Sequence, residues 1–307
     1  MSEGYLSRNV YRQNRDQYND FWPLNADIRR DLYLKYAKRP EDWANNLQPR
    51  DLWLEAASML DHTIGGRILD IGASNGYFIE KLLETGHRGR SHIIGIDSAA
   101  QNYEILQENL RRRYQHPDLW LKYGKAEQLD EATNSADAAA GLFLVYHMPR
   151  PHMLFSEVHR VVKPGGTVIF SSRGTDNLFN SFNIARVVAK AHDAVMPEEN
   201  FYHHFPLIQL EKSVDQGKRF KRVATVYQDE TIYIPATNEG WQDFTEVIAS
   251  YVPLMRHEQT QRQLKYSDIS EYVNKEIKKE FESLAAEYNG YFPDHVQQGF
   301  VVAENTK

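Results

Sequence analysis

The sequence predicts a parallel α/β sheet with helices on both of its faces, and three observations support this fold class. An apolar run over 64–69 leads into a glycine turn, and an amphipathic stretch follows it from Tyr77 to Leu83. Short apolar runs then alternate with helical patterns as far as residue 172. Alternating strands and helices favour a doubly wound sheet, because parallel strands need crossover helices, which then cover the sheet.

The strand candidates are short and apolar, as strands buried on both faces are. They are Arg67–Ile71, His92–Ile96, Trp120–Tyr123, Ala138–Phe143 and Thr167–Ser171. Apolar residues at helical spacing predict a helix around 103–110 and another that begins at Pro151. The residues Lys163-Pro-Gly-Gly166 are predicted to end the second helix and turn the chain into the next strand.

Residues outside this alternation predict additional parts around the central sheet. Residues 1–64 are predicted to form a helical N-terminal lid, with Pro49 as the first residue of one helix. Residues 65–172 form the core, and 173–290 are expected to be an insertion or cap. The cap is predicted to hold an irregular helix over 178–195 and a β-like run at 223–234, which is either one bent strand or two short ones. Residues 291–307 should return to the core as a final strand at 299–303.

Composition limits the function classes. The 307 residues suit one large domain, or a domain with an inserted cap. The net charge of -6 argues against nucleic acid or an acidic membrane as the default partner. Since the chain has no cysteine, it cannot form a disulfide, a thiolate zinc site, a cysteine-bound iron–sulfur cluster or a cysteine nucleophile. No apolar run is long enough for a membrane helix, and a cytoplasmic protein is expected.

The glycine turn after Asp70 is the first candidate binding feature. Gly72 and Gly76 remove side chains where a ligand would approach the backbone, and the following helix directs its N-terminal N–H groups to the same place. Asp97 lies 21 residues after Gly76 at the end of a predicted strand, where a carboxylate can bind ribose hydroxyls. Asp97 as a helix N-cap is the alternative.

Two further segments belong to the same predicted edge of the sheet. Ala126 and Glu127 follow the third strand and are placed to border a flat base. Gly141 and Leu142 end the fourth strand beside the crevice where such sheets bind ligands. A dinucleotide site is disfavoured, because G-x-G-x-x-G would need glycines where Ser74 and Tyr77 stand.

With these motifs the sequence resembles the class I S-adenosylmethionine-dependent methyltransferases of type 11 or 25. The resemblance is carried by the segments 67–76, 94–97, 124–129, 137–147 and 157–166. It implies a Rossmann-like, seven-stranded sheet, S-adenosylmethionine as cofactor, and methyl transfer to an acceptor. No metal site is predicted.

The resemblance also implies roles for individual residues. Asp70, Gly72 and Gly76 would form the cofactor turn, with Ala73 and Ser74 near the methionine part of the cofactor. Asp97 would bind the ribose with Ser98 beside it, Ala126 and Glu127 would border the adenine, and Gly141 and Leu142 would lie near the sulfonium.

The acceptor side is assigned on weaker patterns. His147 is the candidate general base, with a packing or capping histidine as the alternative. Arg173 is placed either to bind an anionic acceptor or to be a surface charge. Substrate contacts are also predicted for Tyr11 and Tyr18 from the N-terminal lid, and for Tyr202 and His203 from the cap.

A small-molecule methyltransferase is the leading functional interpretation, because the acidic balance and the two enclosing segments suit a modest ligand. Methylation of RNA or protein is the alternative, although no Asn/Asp-Pro-Pro-aromatic tetrad follows the fourth strand. A protein that binds the cofactor but performs another reaction also fits the predicted fold. The sequence leaves the oligomeric state open.

Overall fold

A seven-stranded mixed sheet organises the protein in the computed structural model, which describes residues 30–36, 50–99, 119–197 and 204–307. The strands of the chain are β1 (Arg67–Ile71), β2 (His92–Asp97), β3 (Leu119–Tyr123), β4 (Ala136–Gly141), β5 (Val162–Arg173), β6 (Ala194–Val195), β7 (Phe220–Pro235), β8 (Arg256–His257) and β9 (Tyr291–Asn305). The order in the large sheet is β3-β2-β1-β4-β5-β9-β7, and β6 pairs with β8 separately.

Helices surround this sheet. They are α1 (Leu52–Ser58), α2 (Tyr77–Leu82), α3 (Pro151–Val161), α4 (Phe179–Ala191), α5 (Leu207–Gln216), α6 (Asn238–Ala249), α7 (Tyr266–Tyr272) and α8 (Lys278–Glu287). Residues 30–36 are also helical. Short 3-10 turns occupy Asp61–Thr63, Val145–His147 and Val252–Leu254, and π-type turns occupy Leu83–His87 and Val273–Ile277. In the described part of the chain, no helix is long and apolar enough to cross a membrane.

The predicted fold class is confirmed. Strands β1 to β5 are mutually parallel, whereas β9 lies antiparallel between β5 and β7. The β-like run that left two interpretations open is the single strand β7, with a register shift between Arg222 and Ala224. The predicted final strand is part of β9, which is longer than expected because its polar first half also pairs with β7.

Three local predictions are wrong. The helix predicted to begin at Pro49 begins at Leu52, because the Asp51 carboxylate accepts from the Trp53 and Leu54 N–H groups and caps it there. Val195 is not helical but pairs with Arg256 in the small sheet. The turn at 163–166 bulges within β5 instead of preceding it. The helix predicted around 103–110 lies outside the described residues.

Two apolar cores cover the two faces of the large sheet. On one face, α1 and α2 pack through residues such as Leu52 and Phe78 against Ile169 and Phe300. On the other face, α3 and α5 pack through residues such as Leu154 and Leu210 against Phe170. Alternate residues of the strands face opposite sides, so each strand contributes to both cores.

A third core lies on the ribbon that β7 and β9 form. The two strands pair from Phe220↔Asn305 to Pro235↔Tyr291, whereas β5 pairs only with residues 298–304 of β9. The free end of the ribbon carries α4, α6, α7 and α8 over Ile232, Phe292 and neighbouring apolar residues. These four helices, which we call the cap, are therefore built on an extension of the main sheet, and an inserted domain over 173–290 stays a prediction.

Asp294 connects α4 to this ribbon. Its buried carboxylate accepts hydrogen bonds from the backbone N–H groups of Asn180, Ser181 and His295, and from the Ser181 hydroxyl. The first of these donors belong to the N-terminal turn of α4, which otherwise has no side-chain cap. Burial raises the pKa of Asp294, although the four hydrogen bonds oppose that shift.

Replacing Asp294 with Ala should therefore destabilise the cap. We expect Asp294→Ala to lower the free energy of unfolding by about 3 kcal/mol, because several buried donors lose their acceptor at once. Urea titration followed by circular dichroism measures this loss. The control Glu282→Ala, on an exposed position of α8, should stay within about 0.5 kcal/mol. Equal transition midpoints for Asp294→Ala and the unsubstituted protein would contradict the assignment.

Candidate functional site

The glycine turn between β1 and α2 has the backbone geometry that its sequence predicts. Gly72, Ser74 and Gly76 have φ values of 77°, 49° and 89°. The N–H groups of Gly72 and Ala73 donate to the Ile96 carbonyl at 2.7 and 3.0 Å, which fastens the turn to the end of β2. A Cβ at Gly72 would also stand 3.1 Å from a Leu144 methyl carbon, so this position is closed to larger residues by both conformation and space.

Asp97 organises the turn from the neighbouring strand. Its Oδ2 accepts from the Ser74 N–H and its Oδ1 accepts from the Ala99 N–H, both at 2.8 Å. Asp97 therefore holds two backbone donors, and both its predicted contact with a ribose and its alternative role as a helix N-cap stay predictions. An ionised carboxylate is an acceptor with two oxygens, so its chemistry suits a ligand hydroxyl as well as these backbone donors. Ser98 follows Asp97 directly at the same strand end.

Asp70 is the other carboxylate of this edge, and it is only 2% exposed at the end of β1. Within the described residues, its Oδ2 is buried without a hydrogen-bond partner. Burial, assisted by the negative charge of Asp97, raises the pKa of Asp70 to about 8. A buried carboxylate in this condition costs the fold free energy and suits a cationic or hydrogen-bond-donating ligand.

The structure brings the other predicted cofactor residues to the same edge. Ala126 and Glu127 occupy the tight turn after β3 in which Lys125 and Gln128 form a bridge. Gly141 ends β4 and is buried, and Leu142 follows it. These four residues and the glycine turn therefore lie at the carboxyl ends of neighbouring parallel strands β1 to β4.

An aromatic group borders this edge on the α1 side. The Trp53 ring lies 4.7 Å from the Phe143 ring and 5.6 Å from the Tyr77 ring, measured between centroids. The Tyr77 hydroxyl donates to Asp51 at 2.8 Å, which holds the ring over the start of α2. These three rings can exclude water from the space beside Leu142.

Of the two roles predicted for Arg173, a surface charge and a ligand contact, the structure excludes the surface charge. It is the last residue of β5 and only 7% exposed. Its guanidinium carbon lies 4.9 Å from the centroid of the Phe143 ring, and its Nε lies 3.4 Å from the Tyr146 hydroxyl oxygen. A buried cation therefore stands next to the aromatic group.

Sequence reasoning missed two glutamines beside Arg173. Gln298 of β9 pairs in register with Arg173 on one side and with Gln228 of β7 on the other, and we name these three residues the polar row. Gln298 and Gln228 are 1% and 2% exposed. The sequence signal for Gln298 is its position two residues from both Val296 and Phe300, which face the cores. Gln298 is therefore a polar residue between two apolar residues on one face of the strand.

His147 ends the short turn that follows β4. Its ring lies 4.3 Å from the Tyr146 ring, and Tyr146 in turn contacts Arg173, so His147 belongs to the same edge of the sheet. Its role as a base stays a prediction. The predicted substrate contacts Tyr11, Tyr18, Tyr202 and His203 lie outside the described residues.

Comparison with known proteins gives this edge a chemical context. A family model described as a methyltransferase domain matches residues 69–170. These residues form a class I S-adenosylmethionine-dependent methyltransferase domain of type 11. Methyltransferase domains of this class take S-adenosylmethionine as their cofactor.

The curated relatives are similar over different lengths of the chain. The biotin biosynthesis bifunctional protein BioHC of Teredinibacter turnerae is 29% identical over 55% of this chain and 28% of its own length. A ubiquinone biosynthesis O-methyltransferase of Maricaulis maris is 33% identical over 34% of this chain and 39% of its own. The chain therefore spans well under half the length of either relative.

Solved structures share the fold of the methyltransferase domain. A candidate methyltransferase from Bacillus halodurans C-125 superimposes with a TM-score of 0.53 at 13% identity, covering 83% of this chain and 99% of the other. At this identity the likeness concerns the fold alone. It extends the match beyond the family model into the sheet strands that follow residue 170.

The side chains of this domain fit the cofactor that its class uses. The Asp70 Oδ2 is buried with no hydrogen-bond partner among the described residues, Gly72 keeps a side chain out of the turn, and Asp97 places a carboxylate at the end of β2. These three features match the cationic amino group, the methionine part and the two ribose hydroxyls of S-adenosylmethionine, in charge and in hydrogen-bonding sense.

Loss of the Asp97 carboxylate should loosen the turn. We expect Asp97→Ala to lower the free energy of unfolding by about 2 kcal/mol, because the N–H groups of Ser74 and Ala99 lose their acceptor. Chemical denaturation measures the change. Asp130→Ala, at an exposed loop position, is the matched control and should differ from the unsubstituted protein by less than about 0.5 kcal/mol. A loss no larger than that of the control would count against the role of Asp97.

Proposed function

We propose that the protein transfers a methyl group from S-adenosylmethionine to a small-molecule acceptor. The observation that supports this most directly is Asp70, a buried carboxylate with an unpartnered oxygen among the described residues, at the start of a glycine turn. The relatives named for ubiquinone and biotin biosynthesis favour a small acceptor over a macromolecule.

In this proposal the cofactor lies across the carboxyl ends of β1, β2 and β4. Asp70 pairs with its amino group, Gly72, Ala73, Ser74 and Gly76 pass beneath its methionine part, and Asp97 with Ser98 binds the ribose. Ala126 and Glu127 border the adenine, and Gly141 and Leu142 lie near the sulfonium. These residues share one edge of the sheet, which supports assigning them to one ligand.

The sulfonium supplies an activated methyl group, so the chain needs to position the acceptor rather than create an electrophile. Trp53, Phe143 and Tyr77 exclude water beside that position and support alignment of the attacking atom. Where the attacking atom carries a proton, His147 takes it as the general base. Arg173 offers a cation to an anionic acceptor from the end of β5.

The affinity for the cofactor product should depend on pH through Asp70. Below about pH 8 the unliganded carboxyl holds a proton, and binding of the cationic amino group favours its release. The affinity for S-adenosylhomocysteine should therefore rise between pH 6.5 and 8, by up to about tenfold per pH unit.

Titration calorimetry at several pH values, in buffers of different ionisation enthalpy, measures both the affinity and the proton release. Asp70→Asn should bind more weakly and lose most of the pH dependence. A flat profile for the unsubstituted protein would contradict the pairing of Asp70 with the amino group.

Turnover tests the proposed reaction itself. Formation of S-adenosylhomocysteine is measured with small alcohols, phenols, amines and carboxylates, and in parallel with RNA and with protein as acceptors. We expect product with at least one small acceptor. Cofactor binding without turnover of any acceptor, or turnover of RNA or protein alone, would contradict the proposal.

The role of His147 is tested with the best acceptor from that set. If His147 takes a proton, His147→Gln should lower kcat by about a hundredfold or more. The affinity for S-adenosylhomocysteine should stay unchanged, since His147 is not assigned to the cofactor. Full turnover by His147→Gln would show that the reaction uses no base at this position.

A further inference from the structure

We propose that the carbonyl oxygen of Gln298 receives a hydrogen-bond donor of the methyl acceptor, while Arg173 receives an anionic group of the same molecule. This inference rests on the proposed function and adds the chemical class of the acceptor. The acceptor is then a small organic acid that also carries a hydroxyl or amine.

The polar row lies where two apolar cores meet on one face of the sheet. Register partners on neighbouring strands face the same side, so the side chains of Arg173, Gln298 and Gln228 share that face. Phe300, two residues along β9, belongs to the core under α1 and α2, whereas Val296 belongs to the core of the cap. Polar side chains at such a junction are buried, and each of their polar atoms therefore needs a partner.

A directed chain of hydrogen bonds satisfies all but one atom of the two amides. The amide nitrogen of Gln298 donates to the Gln228 carbonyl oxygen at 2.7 Å. The amide nitrogen of Gln228 donates to the Tyr33 hydroxyl and to the Arg50 carbonyl, the second at 3.3 Å. Among the described residues, the side-chain oxygen of Gln298 is buried without a partner.

The Tyr33 end of this series of hydrogen bonds determines the direction in which each amide donates. Apart from Gln228, the Tyr33 hydroxyl lies near the Arg50 carbonyl at 3.1 Å and a Glu230 carboxylate oxygen at 3.4 Å. Both of these groups only accept, so the single hydroxyl proton goes to one of them and Tyr33 accepts from Gln228. Gln228 must then present its oxygen to Gln298, and Gln298 must present its nitrogen to Gln228.

The open end of the polar row is therefore an oxygen and not an N–H group. An oxygen that is buried and fixed in orientation selects a ligand that brings an O–H or N–H, and it disfavours a ligand that brings only an acceptor atom. The guanidinium of Arg173, in the neighbouring register position, selects the opposite polarity, an anion.

The arrangement also limits the separation of the two groups on the ligand. Arg173 and Gln298 stand on neighbouring strands, and the guanidinium reaches away from β9 towards Phe143, which follows β4. The anion and the donor should therefore be at least one strand spacing, about 5 Å, apart. A 2-hydroxy acid is too short for this, whereas a flat ring with its two groups in meta positions has this separation and suits the Phe143 and Trp53 rings.

The probe is 3-hydroxybenzoate, and its binding to the protein saturated with S-adenosylhomocysteine is measured by ligand-observed NMR titration. Two matched compounds accompany it. In 3-methoxybenzoate the hydroxyl donor is replaced by an acceptor, and phenol lacks the anion. We expect 3-hydroxybenzoate to bind about tenfold more tightly than either compound.

Three variants test which side chain produces each of these two binding preferences. Gln298→Leu should abolish the preference for 3-hydroxybenzoate over 3-methoxybenzoate. Gln228→Leu should reduce the same preference, because the Gln298 amide is then free to rotate. Gln228 is in this sense a positioning residue that acts through Gln298. Arg173→Met should abolish the preference over phenol and leave the preference over 3-methoxybenzoate. The control Gln209→Leu, on an exposed position of α5, should change neither.

Binding of S-adenosylhomocysteine to every variant reports that the fold and the cofactor site are intact. The inference is overturned if the unsubstituted protein binds S-adenosylhomocysteine but does not bind 3-hydroxybenzoate, or binds it no better than 3-methoxybenzoate. The proposed function stands in that case. Equal preferences in Gln298→Leu and the unsubstituted protein overturn the inference as well. If S-adenosylhomocysteine itself does not bind to the unsubstituted protein, the proposed function fails first.

Discussion

Strand β9 is longer than β5, its neighbour towards the middle of the sheet, and the construction of the cap depends on this difference. The inner half of β9 pairs on both sides, whereas its outer half pairs with β7 alone. On its other side, the Gln297 and His295 carbonyls accept from the N–H groups of Gly174 and Leu178, so the segment after β5 protects an edge that would otherwise invite unwanted pairing. Asp294 lies in this outer half and accepts from N–H groups at the N-terminus of α4. The part of β9 that extends beyond β5 therefore carries the cap and also holds the first helix of the cap in place.

The cofactor edge of the sheet could be predicted from sequence because it rests on local patterns. Asp70 and Asp97 lie at the carboxyl ends of short apolar strands and Gly72 follows the first of them, and the carboxyl ends of parallel strands must meet at one edge. The double use of Asp97 could not be predicted, since its bonds to Ser74 and Ala99 depend on the exact approach of two strand ends.

The pairing of Arg173 with Gln298 could not be predicted, and the reasons are physical. Arg173 and Gln298 are adjacent only through pairing of strands that are distant in the sequence. The first half of β9 also contains Pro293 and Asp294, which disfavour a strand. The proline is tolerated because β9 has only one neighbour there, as an edge strand does. Local propensity therefore disfavours a strand at a place where pairing with β7 makes one.

Stability alone does not explain the polar groups at the carboxyl edge. A buried carboxyl like that of Asp70 is costly to the fold when one of its oxygens has no partner, and an apolar residue of similar size would pack there without this cost. The side-chain oxygen of Gln298 presents the same problem on β9. The Gln298 oxygen accepts hydrogen bonds, and so does the Asp70 oxygen once its carboxyl is ionised; both stand beside features that suit a ligand, the glycine turn in one case and the buried Arg173 cation in the other. A ligand that brings donors to both places would remove both costs, which is why these atoms indicate function more strongly than the well-satisfied Asp294 does.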